Sequence, residues 1–490
     1  MIFSSTIFIL GFLPGVFLIH VVLQRARLPA AAKLWLIAAS LFFYGYWNPV
    51  HLPLLAASIW FNHRVGLRLL ARGPAWTHRA VVLGLAVAAD LALLGLFKYA
   101  DFAVANFDAF TGAAWPLPGL VLPLGISFFT FTQIAWLVDG SRGDVAGAGA
   151  ADYVLFVTYF PHLIAGPILH HREMMSQFAS RWNRLPRWRN VERALFLFSI
   201  GLAKKVLLAD TFAIWADDGF DGAQPLDFYV AWACSLAYAF QLYFDFSGYC
   251  DMAMGASLLF NVRLPLNFDS PYQALDIRDF WRRWHITLGR FLRDYVYIPL
   301  GGNRGGSLRV QANLLMTFVL GGLWHGASWM FVTWGALHGA ALAIHHAWRR
   351  TGVRLPPAAA WLLTFVFVDV AWVFFRAHDW GAARRVLVGM VDWRSALGGG
   401  DVRPSTAALG WAGPLLDASW NALPRGLAAT LPALAAIAVG FVLVARTNAV
   451  RALGENVPGA RRTALSLLAF AVAFLVLSAT RESAFLYFNF

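Results

Sequence analysis

Few side chains in this sequence can do chemistry, and the best placed of them sits in apolar company. Gly321-Gly322-Leu323-Trp324-His325-Gly326 lies within a stretch, Gln311 to Trp348, that holds no Asp or Glu. An ionisable residue at membrane depth is costly and is functional by default. Apolar surroundings help keep an imidazole neutral, and a neutral imidazole can take a proton near neutral pH. The flanking glycines let a substrate approach the backbone closely. His325 is therefore a candidate general base; the plainer alternative is a histidine that hydrogen-bonds a carbonyl across helices. His338, further along the same run, suits that structural role better.

A second histidine, His285, stands beside Trp284 in the unusual segment 263–309, which carries eight arginines and four aspartates. That segment is too polar to cross lipid and too aromatic for a plain loop. Ile277, Trp281, Trp284, Leu288, Phe291, Leu292 and Tyr295 recur at steps of three and four, predicting one amphipathic helix at the cytoplasmic interface or dipping into the protein. Arg278, Arg282, His285, Gly289 and Arg293 follow the opposite register. His285 then reads either as a solvated surface residue or as a second polar group lining the entrance used by an anionic cofactor. Arg278, Arg282, Arg283 and Arg290 can engage its phosphates or lipid headgroups. Trp324 is placed with them as a tunnel residue. Asp245 and Asp251 fall in one apolar span, but a spacing of six does not put them on one helical face, so separate structural or tunnel roles fit better than a catalytic dyad.

Other chemistries lack their residues. There is no Gly-x-Ser-x-Gly elbow, no His-Glu-x-x-His and no phosphate loop with a following Lys-Ser or Lys-Thr. His170 with His171, and His345 with His346, are neighbours that diverge on a helix, so no metal site is expected. Cys234 and Cys250 both lie in apolar segments, which argues against a disulfide framework.

The elements that must hold these residues are membrane helices. Of the 490 residues, 59% are hydrophobic and 13% charged, against roughly 25% charged in soluble domains. Apolar runs begin near Phe3, Leu34, Leu54, Val81, Leu120, Tyr153, Ala194, Phe228, Leu314, Phe331, Trp361, Leu427 and Thr463, predicting an all-α polytopic membrane protein of roughly a dozen helices. Pro161 and Pro167 predict that the Tyr153 run is broken or re-entrant. The net charge of +13 comes almost wholly from arginine, only four of the 39 basic residues being lysine. Clustered in the connections, these arginines point to a membrane surface and not to nucleic acid. Placing them in the cytoplasm puts the N-terminus and Asp217 outside. The chain reads as one domain, 1–490, with 263–309 as its cytoplasmic amphipathic or re-entrant segment and 376–425 as an extracytoplasmic loop.

Several blocks in order make the chain resemble the membrane-bound O-acyltransferase family, in particular its bacterial alginate O-acetylation branch. They are Leu124 to Phe131, Leu163 to Pro167, Asp245 to Asp251, Asp279 to His285, Tyr297 to Asn303, Leu323 to Gly326, Trp372 to Ala377 and the terminal Phe485 to Phe490. The resemblance implies a funnel-like bundle with a thin middle, His325 at the central catalytic position and His285 at the second, usually polar, one. His162 and Asn489 depart from it, standing where relatives often carry glutamine. It further implies an inner-membrane enzyme moving an acetyl group from cytoplasmic acetyl-CoA, with no permanently bound cofactor, through a periplasmic acetyltransferase partner to an extracytoplasmic polysaccharide. Transfer of D-alanine to teichoic acid or of acetyl to peptidoglycan is the alternative within the class. A small-anion transporter is the alternative outside it.

Overall fold

The computed structural model describes residues 1–72, 77–143, 149–396, 425–446, 448–454, 456–480 and 483–486. Within them regular structure is helical. Among the described residues, five helices are both long and apolar enough to cross a membrane: Phe8–Arg25, Arg79–Thr111, Pro357–Arg376, Thr430–Leu453 and Ala460–Ala479. The other apolar runs are shortened or made polar. The run begun at Tyr153 stays helical only to Thr158, within the nine-residue helix Ala150–Thr158, and the chain then proceeds without helix to His171, as its two prolines require. The run begun at Leu120 becomes helical only at Ile126. Phe228–Leu259 is 32 residues long but takes Gln241, Asp245 and Asp251 into its buried surface.

The residues form two compact units: Met1–Leu202 with Tyr249–Asn267 and Leu453–Phe490, and Ala203–Gly248 with Phe268–Ala452. In the first, Leu52–Arg72 and Arg79–Thr111 pack on Ile126–Arg142. That last helix is buried on nearly every face, so its polar side chains need protein partners. Gln133 Nε2 donates to Ser58 Oγ at 2.9 Å, and Asn62 Nδ2 to Asp90 Oδ1 at 2.8 Å. Gly125 starts the helix at φ +70°, with the Leu163 carbonyl oxygen 2.8 Å from where a Cβ would stand. The Leu124 and Leu163 blocks therefore meet at a point only glycine fills without strain.

In the second unit, Ser307–His325 and Trp329–Trp348 form a tight hairpin. Ser328 Oγ accepts from Met330 N at 3.1 Å and starts the second helix. The two backbones touch through glycines. A Cβ on Gly322 would run into the Phe331 carbonyl, and one on Gly335 into the Phe318 carbonyl. Backbone cannot swing aside as a side chain can, so Gly335→Ala forces the helices apart. We expect about 1–3 kcal/mol of destabilisation and reduced acyl transfer. Gly321→Ala meets only the flexible end of Leu292 and stays near native. Thermal unfolding in detergent checks both; equal stability of the two variants would rule out this account.

Candidate active site

Two short helices and the end of a long one bring the histidines together. Asp276 caps Ile277–Arg283 by accepting from Asp279 N at 2.8 Å. The chain then breaks: Trp284 is extended and His285 left-handed at φ +42°, ψ +53°, before Ile286–Leu292 and a π turn, Arg293–Tyr297. The single amphipathic helix expected over this segment is thus two helices with a reversal between them. A non-glycine residue held there costs on the order of 1–3 kcal/mol and persists where surrounding structure over-determines it, often at functional sites. The reversal also turns His285 inward. Expected on the polar register, it is 0% exposed, its ring 4.9 Å from Phe246.

His325 is the last residue of its helix and is 3% exposed. Its ring centroid lies 4.9 Å from Trp324, 5.1 Å from Trp334 and 5.1 Å from Phe375. The His285 and His325 rings are 6.5 Å apart and inclined at 62°, so one small group held beside them can be reached by both imidazoles. Trp372 and Phe375, from the Trp372 to Ala377 block, complete the wall: Trp334 stacks on Trp372 at 5.7 Å and meets Phe375 at 5.0 Å. His338 accepts at Nδ1 from Trp281 Nε1 at 3.2 Å, which fixes its proton on Nε2 when neutral.

The remaining candidates separate. Arg278 and Arg282 are exposed and Arg290 is half-buried. Arg283 bonds Asp279 at 2.9 Å and the Asp269 carbonyl at 3.3 Å, leaving it less free for phosphate. Asp245 and Asp251 belong to different units. Asp245 Oδ1 is 2.9 Å from Lys205 Nζ, which also reaches Asp210 Oδ1 at 2.7 Å. In the sequence Lys205 counts only as one more basic residue, yet a lysine inside an apolar run is itself a signal of a buried partner. His162 Nε2 lies 2.8 Å from the Phe156 carbonyl oxygen, a contact back to the Ala150–Thr158 helix that precedes it. Asn489 and residues 397–424 of the 376–425 loop, with Gly398 to Gly400, lie outside the described residues.

Arg376 ends the helix carrying Trp372 and Phe375, and its Nη2 is 2.9 Å from Asp217 and 2.7 Å from Asp221. Partial burial works to raise the Asp221 carboxyl, but the hydrogen bond and charge of Arg376, with His378, hold it below its ordinary range. The expectation that neighbouring histidines diverge fails for His170 and His171. His170 is extended and outside the helix that His171 begins, so both point at Asp139 Oδ2, at 2.8 and 3.4 Å. The three donor atoms lie within 4.8 Å of one another, close enough for one ion, with Arg142 at 3.7 Å from the other carboxylate oxygen.

Fold and site define a multi-pass helical membrane protein with a buried pair of histidines packed among aromatic rings. The chain belongs to the membrane-bound O-acyltransferase family, whose model matches residues 119–377 and so takes in both histidines. It is an O-acyltransferase. It is 44% identical to the peptidoglycan O-acetyltransferase of Helicobacter pylori across 100% of this chain and 98% of that one. To the probable alginate O-acetylase AlgI of Pseudomonas putida it is 39% identical across the whole of both. The teichoic acid D-alanyltransferase of Streptococcus thermophilus is 28% identical over 46% of this chain and 57% of its own.

Proposed function

We propose that this protein moves an acetyl group from acetyl-CoA, on the cytoplasmic side of the bacterial inner membrane, to a hydroxyl presented from outside, for O-acetylation of an extracytoplasmic polysaccharide. The observation that carries the reading is the pair of buried imidazoles 6.5 Å apart. The acceptor oxygen attacks the thioester carbonyl carbon. The C–O bond forms as the C–S bond breaks, His325 takes the hydroxyl proton, and that proton passes to the departing thiolate. His285 positions donor or acceptor. Arg278, Arg282 and Arg290 receive the phosphates of coenzyme A, because Arg pairs well with phosphate. Carrying those charges through hydrocarbon is costly, so the small neutral acetyl group crosses alone. The N-terminus lies outside, in keeping with the arginine asymmetry.

Acetyl is favoured over D-alanyl because acetylating relatives align over the whole chain and the D-alanyltransferases over less than half of it. Peptidoglycan as the polymer is a second reading, supported by the 44% relative of nearly full length. The immediate hydroxyl is that of a serine on a periplasmic acetyltransferase partner, which hands the acetyl group on. Sealed vesicles test this, with labelled acetyl-CoA confined to the cytoplasmic face and the partner to the other. Label should appear on the partner while coenzyme A stays on the donor side. Transfer that needs donor on the outer face, or polymer acetylated with no partner present, overturns the relay.

A further inference from the structure

The first unit contains a cavity of about 410 Å³ that the acyl-transfer reading does not use. It opens among the end of the Leu13–Arg25 helix, the start of Pro29–Gly45, the Ala150–Thr158 helix and the 177–184 stretch. Its volume falls within the ~300–1,000 Å³ typical of small-ligand sites. Two features specify the occupant. The lining includes the cations Lys33 and Arg184 and no carboxylate, while Leu34, Leu36, Leu155, Phe178 and Phe260 make an apolar wall. Lys33 is held by Asp152 at 2.5 Å, so the more available charge is the exposed guanidinium of Arg184. His20, 6% exposed, adds a polar edge to the apolar side.

The cavity also joins the arginine-bearing connections 25–33 and 172–193, which the cytoplasmic placing of such connections puts at one membrane face. An amphiphile with an anionic head and an apolar stem meets every one of these features. Basic pockets at the ends of membrane helices hold anionic headgroups in this way, Arg being the side chain best shaped for a phosphate. We infer that this cavity binds the phosphodiester headgroup and first methylenes of an anionic phospholipid. The volume suits that portion of the molecule and not two full acyl chains. The inference stands whether or not the acyl donor is acetyl-CoA.

Native mass spectrometry of the delipidated full chain tests it, with phosphatidylglycerol, phosphatidylcholine or glycerol 3-phosphate added. Phosphatidylglycerol should be retained about tenfold or more above phosphatidylcholine, the scale of one charge-assisted contact, and glycerol 3-phosphate should not be retained. Arg184→Glu reverses an exposed charge without touching packing and should abolish the preference. Ala30→Trp, from the exposed wall of the cavity, should displace the lipid while Ala30→Ser leaves it bound. Equal retention of the two lipids overturns the proposal, as does a preference that survives both Arg184→Glu and Ala30→Trp. Retention of glycerol 3-phosphate as tight as that of the lipid would assign the site to a soluble phosphate instead.

Discussion

Replacing His325 with alanine should lower acyl transfer by about 10²–10⁴-fold, the usual worth of a general base, while the protein remains inserted. The ring is enclosed by Trp324, Trp334 and Phe375, so alanine also leaves a cavity, and its stability loss has to be separated from lost chemistry. His325→Gln does this: it keeps most of the volume and a polar end but cannot act as a base. Both variants should be equally inactive, with the glutamine variant unfolding closer to the native temperature. His285→Ala should be milder if, as proposed, that imidazole only positions donor or acceptor. Because His285 holds φ +42°, His285→Gly should be more stable than His285→Ala while losing the same ring. Rates from labelled donor, read beside thermal unfolding, distinguish these cases. Full activity in His325→Gln would remove the base assignment, and loss of activity only in proportion to unfolding would make His325 structural.

The helical membrane class was legible because hydrophobic runs and arginine-rich connections are properties of composition, averaged over many residues. The break after Ala150–Thr158 was legible because proline writes a backbone constraint into the sequence. What stayed hidden depended on single backbone angles. Nothing in Trp284-His285-Ile286 marks a reversal: no glycine or proline is present, and apolar residues keep a helical spacing across the break. A regular helix therefore assigned His285 to the solvent side, whereas the reversal turns it inward. The same limit applied to His170 and His171, which converge on Asp139 only because the helix begins between them. Lys205 was missed for a different reason. Its role lies in a contact with Asp245, forty residues away, which periodicity does not encode.

That contact should be the most stability-sensitive polar feature of the second unit. The side chains of Lys205 and Asp245 are 3% and 2% exposed and 2.9 Å apart, whereas Asp210, the lysine's other partner, is 32% exposed and can turn to water. Lys205→Ala removes this cation and leaves the Asp245 carboxylate buried, which costs about 3–5 kcal/mol when one partner of a buried pair is deleted. Asp245→Asn should cost less, since Lys205 keeps Asp210. The double variant Lys205→Met with Asp245→Leu should recover much of the loss, because matched apolar groups often replace a buried pair at little cost. Activity should follow stability, since Asp245 adjoins Phe246 on the helix segment whose ring meets His285 at 4.9 Å. Fluorescence-detected thermal unfolding in detergent orders the three variants. If Lys205→Ala melts with the native protein, the Asp245 carboxylate is held without the lysine, and the pair is not a structural one.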